Sequence, residues 1–227
     1  MRNLAFFMLA ALPLFAGFFP PTVHTAVSTS NGTTLQLAKP FPVNGMSGIV
    51  IHNYGHDLKA ATGYIEQTAA SGSAKLIAKE IIRHESLPTI KTPVTKGDKV
   101  IGGYLYDNVM LLAPDADTYA KITKSTSKHW VHPDLFAVYL SETGDTYPTK
   151  ENLARFAKQY QVGLIYIVKH NSAVLLDPIS GKIVGKRAFS GTPAKAQAPF
   201  FMRIGEIRSG WFSDDAPGDY YKIMEQF

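Results

Sequence analysis

KVIGGYLYDNVMLLAP (Lys99–Pro114) and the DADTYAKITK that follows it (Asp115–Lys124) decide how the chain is read. Up to Ala113 the apolar residues come in short, glycine-punctuated runs of strand length. Beyond Pro114 they recur at helical spacing, with Ala116, Tyr119, Ala120 and Thr123 on one stripe behind a capping Asp115. The switch predicts an α+β protein: a small SH3-like β-barrel over residues 44–114, then a helical and β-hairpin unit over residues 115–212.

Working upstream, Gly48–Asn53, Thr62–Thr68 and Ala74–Ile82 have strand character, the last two joined through Ala70–Ser73. Thr95-Lys96-Gly97-Asp98 is a tight turn, and Lys99–Tyr106 and Val109–Ala113 read as two strands joined at Asp107-Asn108. Gly45, Gly48, Gly63, Gly97, Gly102 and Gly103 fall where a tightly coiled barrel must bend or let backbones approach. Downstream, His132 caps a helix with Pro133 at its first turn and Leu135, Phe136, Tyr139 and Leu140 on its apolar face. Thr149 caps the next, with Glu151 in the first turn and Leu153, Phe156, Ala157 and Tyr160 at i, i+3, i+4 and i+7. Leu164–Lys169 is apolar throughout and predicts a strand covered on both faces. Hairpin returns into Ala173–Leu176 and Lys182–Phe189 follow, then a low-complexity linker over Ser190–Pro199, a last strand over Phe200–Ile207, an apolar plug at Trp211-Phe212, and a loose acidic tail over residues 213–227.

The N-terminus has an address of its own. After Arg2 no charged residue occurs before Lys39, and Leu4–Phe19 is an apolar run of sixteen residues broken by Pro13 and Gly17. A spanning helix wants about 20 apolar residues. A basic start, a shorter apolar core and a small residue at Ala26 instead predict an export signal over residues 1–26, with an uncleaved anchor as the alternative because His24 sits where a small residue is preferred. Residues 27–43, with Pro40 and Pro42, read as an extended leader. The expected location is the periplasm or the cell envelope or surface, with membrane contact only through an uncleaved N-terminal segment.

Composition sets limits. A 45% hydrophobic share across 227 residues supports a packed core, and the absence of cysteine removes disulfides, thiolate metal sites and a cysteine nucleophile. Lys and Arg (23) exceed Asp and Glu (18) by a net +5, dispersed among carboxylates rather than gathered in a run, so no nucleic-acid partner is expected. His129 and His132 form an H-x-x-H pair that straddles a helix start; they read as a loop histidine and a cap, and no metal or cofactor is expected. Ser47 lacks a nucleophile elbow and reads as a turn residue, and Gly181-Lys182 as a hairpin tip. No catalytic residue is assigned. An exported hydrolase assembled from His52, His132, Asp134 and Asp177 stays open as an alternative, requiring that three of them meet. Lys121, Lys124 and Lys128 line one stripe if the first helix runs that far, and are the candidate partner-binding residues.

The runs Gly45-Met46-Ser47-Gly48-Ile49-Val50-Ile51-His52, Leu87-Pro88-Thr89, Lys96-Gly97-Asp98, Trp130-Val131-His132-Pro133-Asp134-Leu135-Phe136-Ala137 and Ala198-Pro199-Phe200-Phe201 resemble the N-terminal domain of the plasminogen-binding proteins of Helicobacter, Campylobacter and related epsilonproteobacteria. The likeness spans Asn44–Phe212. It implies a cell-envelope protein that binds a protein partner, an envelope component or host plasminogen, without catalysis. Plasminogen capture in such proteins is attributed to lysine, often a C-terminal lysine, engaging kringle pockets, whereas this sequence closes on Glu225-Gln226-Phe227. A shorter likeness, over Leu153–Val184, is to the last half of TolB-type domains, which implies a scaffold in an envelope or flagellar accessory protein.

Overall fold

The computed structural model describes residues 17–78, 92–204 and 218–227. Its elements are β1 (Val23–Asn31), β2 (Thr34–Leu37), β3 (Ser47–Gly55), β4 (Leu58–Gln67), β5 (Ser73–Ala78), β6 (Lys99–Gly102), β7 (Asn108–Leu112), α1 (Ala116–Ser125), β8 (His129–Val131), α2 (Pro133–Thr143), α3 (Lys150–Tyr160), β9 (Leu164–Val168), β10 (Ser172–Asp177), β11 (Lys182–Ala188) and α4 (Tyr220–Met224). The fold is mixed α+β with a barrel. Leu87-Pro88-Thr89, Trp211-Phe212 and the first sixteen residues lie outside the described residues.

Six antiparallel strands close the barrel in the order β1-β2-β5-β4-β3-β6, with β6 pairing back onto β1. Two of those strands, β1 and β2, come from residues expected to be the end of an export signal and an extended leader. The stretch is extended, but Val27, Leu35, Leu37 and Phe41 are each at most 3% exposed and fill the barrel. Ser and Thr at the outward positions of β1 dilute the apolar signal, while Gly32, at φ +65°, closes the hairpin into β2. Ala26, the expected cleavage position, is inside β1, where Val23–Ala26 pair with Gly102–Lys99. Gly102 has no substitute there: a Cβ would stand 2.5 Å from the Phe41 ring.

β7, expected to end the barrel, belongs instead to a five-stranded sheet of order β11-β10-β9-β7-β8, in which it runs parallel to both β8 and β9. The change of unit thus falls in the turn between β6 and β7, not at Pro114. The reason is burial: Val109–Leu112 are covered on both faces, as a central parallel strand requires. Leu164–Val168 meets the same requirement from its continuous apolar run. One face of the sheet, with Met110, Leu112, Ile165, Ile167, Val174 and Leu176, packs against Phe136, Leu140, Leu153, Phe156 and the C-terminal residues. The other, with Val109, Leu111, Leu164, Tyr166 and Leu175, shares a single core with the barrel's Val50, Ile65 and Val100. The two units therefore meet through apolar burial. Gly163 marks one close approach, since a Cβ there would lie 2.0 Å from the Leu105 carbonyl oxygen.

Two C-terminal expectations are corrected. Phe200–Ile204 is not a strand: Phe200 is fully buried, and Phe201 N donates to Ala113 O without a ladder forming; the rest of that stretch is outside the described residues. The tail is not loose over its last residues, because α4 buries Tyr220, Ile223 and Met224. The Tyr220 hydroxyl sits within 2.8 Å of Leu112 O and 2.7 Å of Val168 O, and so answers backbone carbonyls at the ends of two sheet strands.

Candidate functional site

Three polar clusters stand apart from ordinary solvated surface. At the junction of barrel and sheet, Asp177 closes β10 and is fully buried. Its Oδ2 accepts from Ser47 N at 2.8 Å and the Tyr106 hydroxyl at 2.7 Å, and its Oδ1 from Ile179 N at 2.9 Å and Ser180 N at 3.1 Å. Burial pushes the Asp177 carboxyl above its ordinary range against the pull of those donors, and pushes the Tyr106 hydroxyl well above its own. The adjoining crevice, lined by Ser47, Tyr64, Tyr104 and Ile179, holds about 10 Å³, room for roughly one water. A carboxylate with four protein donors and no room for a substrate is a staple between two layers. Ser47 enters it through its backbone N–H and is not the turn residue expected: it opens β3, in register with Glu66.

The second cluster sits where α2 begins. Pro133 occupies the first turn, and His132 Nδ1 accepts from Asp134 N at 3.1 Å, the cap the sequence predicted. Asp134 in turn accepts from Arg203 N at 2.8 Å and Arg203 Nε at 2.9 Å, which ties α2 to the segment after Phe200. Partial burial lowers the His132 imidazole, and the neighbouring Asp134 charge offsets that only in part. Burial pushes the Asp134 carboxyl up, but the Arg203 hydrogen bonds and nearby positive charge more than offset it and leave it below the usual carboxylate range. Tyr119 and Phe201 rings flank His132 at 5.1 and 6.3 Å.

The third cluster is the lysine stripe. α1 stops at Ser125 and the chain is extended from Thr126, so Lys128 is not on the helix. Its Nζ lies 2.6 Å from Asp107 Oδ1 and 5.3 Å from the Phe19 ring centroid, a paired cation rather than a free one. Lys121 and Lys124 remain exposed on α1.

Of the four residues of the hydrolase alternative, only His132 and Asp134 meet, at 3.2 Å. His52 pairs with Asp98 across 2.7 Å, and Asp177 belongs to the junction. Among the described residues no three His, Asp or Glu side chains are placed to hold a metal, and His129 and His132 divide between β8 and a helix cap. Sequence reading missed the partners, Tyr106 for Asp177 and Arg203 for Asp134, which stand 71 and 69 residues away in the chain.

The structure can be set beside known proteins. The family described as plasminogen-binding protein pgbA N-terminal matches residues 22–226. Two curated relatives, each named plasminogen-binding protein PgbA, from Helicobacter pylori strains J99 and 26695, are 31% identical over 140 residues. That match covers 61% of this chain and 30% of either relative, so the chain spans under a third of their length. No solved structure matches. With the match running from the start of the barrel to the C-terminal helix, the chain belongs to the plasminogen-binding protein pgbA N-terminal family.

Proposed function

We propose that this chain is an exported, non-catalytic binding protein of the cell envelope that captures a plasminogen-like partner through lysine side chains on its folded surface. The observation that carries the reading is the family match over residues 22–226, whose curated relatives are named for binding plasminogen. Lys121 and Lys124, exposed on α1, present ammonium groups that pair with no carboxylate among the described residues, while Lys128 is engaged by Asp107. A staple at Asp177, beside a crevice with room for about one water, and a cap at His132 hold the frame. The basic start and apolar run before Gly17 support export. Because Val23–Ala26 close the barrel against β6, processing that leaves a folded domain cuts upstream of Val23 or not at all.

The test is plasminogen binding to the immobilised chain, challenged separately with a free lysine analogue and with salt. The reading expects the analogue to displace plasminogen at physiological ionic strength. Binding that salt abolishes and the analogue leaves untouched would show nonspecific charge attraction instead.

A further inference from the structure

β3 and β4 continue past the barrel. β6 pairs with β3 only from Gly48 to Ile51, so beyond Ile51 the hairpin is held by its own β3–β4 ladder and by a contact to the turn at Thr95–Asp98. That contact is His52 Nδ1 to Asp98 Oδ1 at 2.7 Å, and Asp98 is occupied further by Thr95 N at 2.8 Å. Between the overhanging hairpin and the turn lies an open groove of about 300 Å³, lined by Ile51, His52, Asn53, Lys59, Lys96 and Lys99, with Asp98 in its wall. It is within the size range of ligand sites.

Its charge is one-sided. Lys59, Lys96 and Lys99 are exposed, and among the described residues none has a carboxylate within ion-pair distance, whereas Lys75, Lys128 and Lys169 each do. Asp98 is 5% exposed and spends its oxygens on His52 and the Thr95 turn. Apolar side chains lie next to it in the chain: Leu58, the residue before Lys59, is 64% exposed, more than any other large hydrophobic side chain among the described residues, and Tyr54, whose ring packs on His52, is 39% exposed. The tip carries them through two consecutive left-handed residues, His56 at φ +48° and Asp57 at φ +64°, a turn that side chains other than glycine adopt at a cost.

We infer that this groove is a second binding site, one that takes an acidic peptide segment bearing an aliphatic or aromatic residue beside its carboxylates. Ammonium groups act as point charges and suit scattered carboxylates, while among the described residues the lining has no guanidinium fork for bidentate phosphate or sulfate. Exposed Leu58 gives an apolar neighbour something to cover, which a sulfated polysaccharide lacks. The site is distinct from α1 and takes nothing from the plasminogen reading.

The experiment uses the whole chain and a capped, fluorescein-labelled peptide of alternating Glu and Leu, read by fluorescence anisotropy, with heparin fragments as the competing polyanion. Reversing two exposed charges in Lys59→Glu/Lys99→Glu should weaken binding about tenfold or more, and Leu58→Ser should weaken it severalfold. Lys158→Glu/Lys195→Glu, at exposed lysines away from both the groove and α1, serves as the control with matched net charge and should change it little. Unaltered melting of each variant confirms the fold. Equal losses in the two charge-reversal pairs, no loss with Leu58→Ser, or heparin binding the groove in preference to the peptide would each overturn the inference.

Discussion

Replacing Asp177 by alanine removes the acceptor from four donors at once. Ser47 N and the Tyr106 hydroxyl lie in the buried junction, so each left unpaired costs about 1–3 kcal/mol. Ile179 N and Ser180 N are at the hairpin turn and only partly buried, so water can answer them cheaply. Removing a desolvated carboxylate returns part of the loss. The net expectation is a destabilisation of about 3–5 kcal/mol for Asp177→Ala and about 1–3 kcal/mol for Asp177→Asn, which keeps one acceptor oxygen for one pair of donors. Urea unfolding followed by tryptophan fluorescence measures both. The pH dependence adds a sign. Burial raises the folded-state carboxyl above its unfolded value near 3.8, so the folded chain binds the extra proton between those two values. The contribution of Asp177 to stability is then greatest below the unfolded value and is lost as pH rises through the folded one. The Asn variant should lack that slope. An alanine variant within about 1 kcal/mol of the parent, or an asparagine variant worse than alanine, would refute the staple.

Three further outcomes are expected. Gly163→Ala must drive a methyl group into the Leu105 carbonyl 2.0 Å away, and should cost more than about 3 kcal/mol or prevent folding, as thermal melting will show. A chain begun at Val27 loses every β1–β6 pair and the Phe18–Tyr166 contact, and should lose cooperative unfolding, whereas one begun at Gly17 should keep it; circular dichroism melts compare the two. The lowered Asp134 carboxyl stabilises the fold above its unfolded value near 3.8 and loses that effect as pH falls through its folded value, so Asp134→Asn should flatten the acid limb of the stability curve by at most about 1 kcal/mol, Arg203 being well exposed.

What the sequence disclosed was what short-range chemistry dictates. His132-Pro133 and Thr149 announced α2 and α3 because a cap needs only the next three residues, and Thr149 with Asn152 completes a reciprocal capping box. Leu164–Val168 announced a doubly covered strand through its unbroken apolar run. What it withheld was pairing. Nothing in Asn108–Leu112 says whether its neighbour is β6 or the distant β9, because periodicity fixes which side chains are covered and not by whom. β1 and β2 hid behind outward Ser and Thr. α4 hid because its short apolar face, Tyr220, Ile223 and Met224, follows a stretch rich in Asp, and its hydrogen bonds reach back 108 and 52 residues. The lysine stripe failed at one residue, since a helix ending at Ser125 leaves Lys128 to Asp107.

Whether the family's binding role resides in lysines of this folded body is tested most directly by plasminogen isotherms on the intact chain and on Lys121→Ala/Lys124→Ala, each with and without a free lysine analogue. The account predicts saturable binding to the parent that the analogue reverses, and a loss of about tenfold or more in the double variant with its melting unchanged. Saturable binding that neither the analogue nor the double substitution weakens would contradict it.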